Sequence, residues 1–162
     1  MKKLTSVLIV ILLLSLTTPA FAMPAAMVSN QADSVTSGHY IVQLRPLNNS
    51  GVRGIAEIWV QGDMLKVMIH ANGLTPNEVH LQHIHMGNTC DPLTQVLKPL
   101  EPYPTSSHSG IIDFRQTYQD AASSVAPLKT RTVVLHGMMV DGNYSVGTPV
   151  ACGVVRAVPG LH

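Results

Sequence analysis

Residues 38–74 read "GHYIVQLRPLNNSGVRGIAEIWVQGDMLKVMIHANGL", and this stretch decides the fold class. In "HYIVQLRPL", Tyr40, Val42 and Leu44 alternate with Gln43 and Arg45. A period of two is the mark of a strand with one buried face. The cluster "NNSGVRG" is turn chemistry. Next, "IAEIWVQ" supplies β-branched and aromatic residues, and Gly62-Asp63 gives a tight-turn signal. In "MLKVMIHANGL", Leu65, Val67 and Ile69 share one face while Lys66, Met68 and His70 take the other. Successive strands with short connections predict an antiparallel meander.

Downstream, the prolines at 92, 99, 102 and 104 predict a long irregular loop over 91–107, a kind of segment that is more often functional than ornamental. The stretch 114–126 suggests one short helical turn, and "TRTVVLHGMMV" and "TPVACGVVRAV" return to strand composition. The expectation is an all-β domain, a Greek-key β-barrel or sandwich of about eight antiparallel strands with long loops and immunoglobulin-like topology.

The chain of 162 residues opens on Lys2 and Lys3, then an apolar run from Leu4 to Leu16, then the small-x-small triplet Ala20-Phe21-Ala22. That order predicts a secretory signal peptide over 1–22, because an apolar core of about 13 residues is short for a membrane span. A flexible lead over 23–38 and a single domain over 39–162 follow, so the protein is expected to be exported, to the periplasm or the extracellular space, with no stable membrane span after cleavage. The formal net charge of +1 and the lack of a Lys/Arg cluster argue against nucleic-acid binding. The cysteines are two, Cys90 and Cys152. An even count in an exported chain favours a disulfide; a cysteine metal pair is the alternative, without the support of a short C-x-x-C spacing.

Eight histidines are present, and "HLQHIHMGNTCDP" (80–92) concentrates His80, His83 and His85 next to Cys90. His83 and His85 lie two apart on a strand, so both rings leave the same face and can reach one metal ion, copper or zinc. His80 has the opposite parity and reads as a supporting hydrogen-bonding residue. His136 ends the apolar strand "TVVLH"; by itself it reads as a satisfied buried side chain, and as a ligand only if its strand lies beside that of His83 and His85. His108, in "TSSHSG", reads as a solvated loop residue, and His39, His70 and His162 as peripheral.

Taken together, "GLTPNEVHLQHIHMGNTC", "LKTRTVVLHG" and "VACGVV", in that order, resemble the copper,zinc superoxide dismutase family, and "GVRGIAEIW" is similar to its early strands. The resemblance covers roughly residues 39–156. It implies copper ligands at His83, His85 and His136, which would also be the catalytic residues, a structural role for His80 behind them, and a Cys90–Cys152 disulfide. The implied activity is disproportionation of superoxide, the small-molecule substrate, to dioxygen and hydrogen peroxide.

The chain departs from that pattern in two places. The family's histidine bridging copper and zinc should follow the first cysteine, but "DPLTQVLKP" contains none. His108 and Asp113 alone do not make a four-coordinate zinc site, so copper without zinc is expected, with His108 as a candidate fourth copper ligand. The family's anion-guiding arginine corresponds to Pro149 in "GTPVACG". Loss of that cation points to weakened activity, or to a non-enzymatic copper-binding or copper-delivery protein on the same fold. Met64, Met68, Met86, Met138 and Met139 are thioethers that would suit Cu(I) in such a protein, although methionine also fills cores.

Overall fold

The alternation in the opening stretch becomes three strands in the computed structural model, which describes residues 37–138 and 147–159. The expected signal peptide and most of the lead lie outside the described residues. Strand β1 (Ser37–Pro46), β2 (Arg53–Gln61) and β3 (Met64–Asn72) pair antiparallel in sequence order. Val42 and Leu44, then Ala56, Ile58 and Val60, then Leu65, Val67 and Ile69 all point inward and are buried. Their outward neighbours Gln43, Lys66 and His70 are exposed. Period two therefore sets both the strands and the face each presents.

The later strands are β4 (His80–Met86), β5 (Val96–Pro99), β6 (Ile112–Tyr118), β7 (Arg131–Met138), β8 (Pro149–Val154) and the short β9 (Arg156–Ala157). They extend the sheet in the order β5-β4-β7-β8-β1-β2-β3-β6, with β9 beside β1. All pairings are antiparallel. Because β3 pairs with β6 while β4 and β5 lie at the far end of the order, the chain crosses between halves in Greek-key fashion. The sheet curls on itself around one core that includes Ile58, Leu65, Ile84, Leu100, Phe114 and Leu135. The all-β architecture is as expected.

Two local expectations need correction. The Pro-rich segment is not irregular throughout: β5 forms within it, and Thr105 makes an isolated bridge to Val79. Residues 112–118 are a strand, and the helical turn is confined to Ala122–Val125 (α1). The polar outward residues of β6 hid its periodicity; only Ile112 and Phe114 are deeply buried along it.

At the two ends of the sheet order, β5 and β6 meet through side chains. The Lys98 ammonium stands 4.5 Å above the Tyr118 ring, and the Tyr118 hydroxyl donates to the Glu101 carbonyl at 2.8 Å. The connection into β6 is tight at Gly110, whose φ is +70° and where a Cβ would lie 2.2 Å from the Leu74 carbonyl oxygen. Only glycine fits both the angle and the gap.

Cys90 and Cys152 form a disulfide with a Cα–Cα separation of 5.9 Å. It ties the loop after β4 to the middle of β8. No helix among the described residues is long and apolar enough to cross a membrane.

Candidate metal centre

Strand β4, "HLQHIHM", is buried from His80 to His85. This strand is buried although it carries three histidines, and β5 and β7 flank its two edges. Ile84 faces the core, and the segment 95–106 is stitched along the strand by backbone bonds. Leu100 N donates to Gln82 O, Met86 N to Gln95 O, and His80 N to Pro104 O, all at 2.9–3.0 Å. The same segment carries Tyr103, whose hydroxyl is 3.3 Å from His83 Nε2.

Strand β7 lies directly beside β4, with His83 opposite Val134 and His85 opposite Thr132. Residues two apart share a face, so His136 projects on the side of Val134, the same side as His83 and His85. Register irregularities flank this region, between His80 and Gln82 in the β4–β7 ladder and between Leu135 and His136 in the β7–β8 ladder. His136 stands two positions along β7 from Val134, the partner of His83, so the two histidines are diagonal neighbours although they are 53 positions apart in sequence. His83 Nδ1 is 3.3 Å from His136 Nε2. One nitrogen from each of His83, His85 and His136 lies within 4.8 Å of the others, and all three residues are buried.

The remaining ring nitrogens show which atoms are free to bind. His85 Nδ1 donates to the Thr94 carbonyl at 2.7 Å, and His136 Nδ1 donates to the Gly147 carbonyl at 2.6 Å. A carbonyl only accepts, so both Nδ1 atoms carry hydrogen and both Nε2 atoms present lone pairs. His85 Nε2 is buried with no hydrogen-bond partner. His83 faces inward with Nδ1, and its Nε2 is 3.3 Å from the Tyr103 hydroxyl. Histidine ligands are normally held in this way, by an outer group that fixes ring and tautomer.

Burial, then the proximity of His136 and His85, pushes the His83 pKa from 6.5 down to about 4. Burial also lowers that of His136, against the opposing bond to Gly147. Both are therefore neutral at pH 7, the form that coordinates metal.

These residues fit a metal ion. Three buried imidazoles converge, and the inward nitrogen of His85 has no hydrogen-bond partner. Ligand atoms sharing one ion at about 2 Å from each are at most about 4 Å apart, so closure of the cluster requires a shift of under about 1 Å.

His80 is separate from the cluster and behind it. Its Nδ1 is 3.2 Å from the His136 carbonyl and its Nε2 is 3.1 Å from the Thr75 carbonyl, so it ties the chain before β4 to the strand carrying His136. His108 lies on an exposed turn closed by Gly110 N to Ser107 O, and it is not one of the three converging residues. Asp113 pairs with His70 on the outer face, with 2.5 Å between carboxylate and ring.

Pro149 sits opposite His136 in the β7–β8 register, so the residue beside this histidine is uncharged. Three cations elsewhere in the chain have their own settings. The Arg131 guanidinium is held by the Val125, Ala126 and Thr130 carbonyls, Lys98 stands over Tyr118, and Arg156 lines a cavity of about 360 Å³ beside the disulfide. Of the methionines, Met68 lies on the β3 outer surface between Glu57 and Arg115, Met64 contacts Gln119, and Met86 is exposed at the end of β4. The Met138 side chain and all of Met139 lie outside the described residues.

Sequence reasoning did not single out Thr94, Tyr103 or Gly147. The first and last act through backbone carbonyls, which carry no residue-type signal. Tyr103 had a visible mark, a lone aromatic between two prolines in "EPYPT".

No family model and no curated protein matches this chain.

Proposed function

We propose that this protein is an exported, copper-only relative of the superoxide dismutases, with His83, His85 and His136 holding the metal. The observation that carries the reading is the convergence of three buried imidazoles whose outward nitrogens are already hydrogen-bonded. An all-imidazole set suits copper and zinc alike, and copper is favoured by the motif resemblance. Held by His83, His85 and His136, a copper ion would supply one-electron redox chemistry, suited to converting two superoxide ions and two protons into dioxygen and hydrogen peroxide.

The chain's own contribution is to fix the rings. The Thr94 and Gly147 carbonyls hold two imidazoles in the tautomer that exposes Nε2. The disulfide anchors the loop that carries Thr94. The disulfide and the predicted signal peptide support export.

A second reading, copper binding or delivery without turnover, is favoured by Pro149 beside His136. Charge steering can raise the encounter rate with an anion by about tenfold or more, and this position supplies none.

Metal analysis of the purified oxidised protein, combined with superoxide decay by stopped flow, tests both readings. Stoichiometric copper and copper-dependent decay are expected for the enzyme. Copper without decay supports the binding protein. Unchanged copper content in His83→Ala and His136→Ala would overturn the site itself.

A further inference from the structure

Each histidine of the cluster uses its second nitrogen differently. His85 and His136 donate to backbone carbonyls, at 2.7 and 2.6 Å. Those partners only accept, so each ring is confined to one tautomer. His83 instead faces a phenol, with Nε2 3.3 Å from the Tyr103 hydroxyl and the rings edge-on at 5.9 Å between centres. A hydroxyl both donates and accepts.

The hydrogen inventory then follows from the distances. His136 Nε2 carries no hydrogen, because its Nδ1 donates to Gly147. At 3.3 Å, His83 Nδ1 can donate to it, which leaves His83 Nε2 bare to accept from Tyr103. A cation at the cluster needs the lone pair of His83 Nδ1 instead. The single ring hydrogen of neutral His83 must then sit on Nε2 and be donated to the Tyr103 oxygen. The ring keeps the same charge in both arrangements, and the phenol serves both by rotating its O–H.

We propose that Tyr103 is the positioning residue for His83, holding its ring in place in the metal-free and metal-bound cluster while permitting the tautomer exchange that binding requires. This rests on the copper site proposed above. Tyr103 can act this way because the backbone directly after it is held. It stands between Pro102 and Pro104, the Pro104 carbonyl accepts from His80 N, and Thr105 bridges to Val79. The phenol is thus delivered from a segment pinned to the start of β4, the strand that carries His83.

The test uses the full exported protein and its Tyr103→Phe variant, which keeps the ring and removes the hydroxyl. Copper(II) is titrated into each against a competing chelator, and the loaded proteins are compared by electron paramagnetic resonance. Removing an outer-shell partner of a ligating histidine typically weakens metal binding by about 10- to 100-fold, and that loss is expected, with a changed copper hyperfine coupling. In parallel, ring ¹⁵N shifts of the wild-type protein should show hydrogen on Nδ1 of all three histidines without metal. With Cu(I) bound, only His83 should move its hydrogen to Nε2.

Unchanged affinity and an unchanged spectrum in Tyr103→Phe would overturn the proposal. So would a loss of affinity that merely tracks a lower melting temperature of the metal-free variant, with the hyperfine coupling preserved, because that would be a structural role. If wild type takes up copper and His83→Ala does not, while Tyr103→Phe matches wild type, only this inference falls. If wild type takes up no copper, both it and the copper-site reading fall.

Discussion

Acid should destabilise the metal-free protein above the range where carboxylates titrate, and His83 should account for a defined part of the loss. Its pKa is about 4 in the fold against 6.5 when unfolded, because burial and two neighbouring imidazoles oppose its charge. The unfolded chain therefore binds the proton more readily than the native one. The contribution to stability is complete above pH 6.5 and is lost as pH falls toward 4. From these two values the loss between pH 7.5 and pH 5 is about 2 kcal/mol, growing to about 3 kcal/mol at pH 4. The lowered pKa of His136 adds in the same direction. Urea unfolding of the metal-free protein, followed through the single tryptophan Trp59 at pH 7.5, 6.5, 5.5 and 5.0, measures the slope. The same series on His83→Asn isolates the residue, since every other titrating group is common to both proteins. The variant should lose about 2 kcal/mol less than wild type over this interval. Equal losses in the two proteins would refute the claim that His83 is held neutral by its surroundings.

Further tests address the frame around the cluster. Replacing both cysteines by alanine opens a link spanning 62 residues, for an expected loss of about 4 kcal/mol in urea unfolding on the chain-entropy account. The same variant should bind copper more weakly, because the freed loop carries the Thr94 carbonyl that orients His85. Gly153→Ala places a Cβ 2.3 Å from the Gln43 carbonyl oxygen, so β1 and β8 must part, with an expected cost of about 1–3 kcal/mol read as a lower melting temperature. Tyr118→Phe removes the hydroxyl bond to Glu101 that helps join β6 to β5, for a loss of about 1 kcal/mol by the same measurement, with copper affinity unchanged.

Local pattern alone determined the early strands of this protein. In β1 to β3 an inward residue at every second position is enough to establish strand, face and pairing, because short turns make each partner the next segment in the chain. The pairing of His83 with His85 was legible for the same reason, since a spacing of two on a strand places both rings on one side. The even cysteine count, in a chain expected to be exported, favoured the disulfide, and the Cys90–Cys152 bond is present.

Tertiary structure decided the rest. β6 went unrecognised because its outward residues are polar and only its inner edge packs against the core. From its own sequence His136 was one more histidine at the end of an apolar strand; it joins the cluster because β7 packs beside β4 with two register irregularities near the site. The groups that decide which nitrogen each ring presents, the Thr94 and Gly147 carbonyls and the Tyr103 hydroxyl, come from remote loops. A carbonyl is common to every residue, so its position is a property of the folded chain and leaves no trace in the identity of the amino acid that carries it.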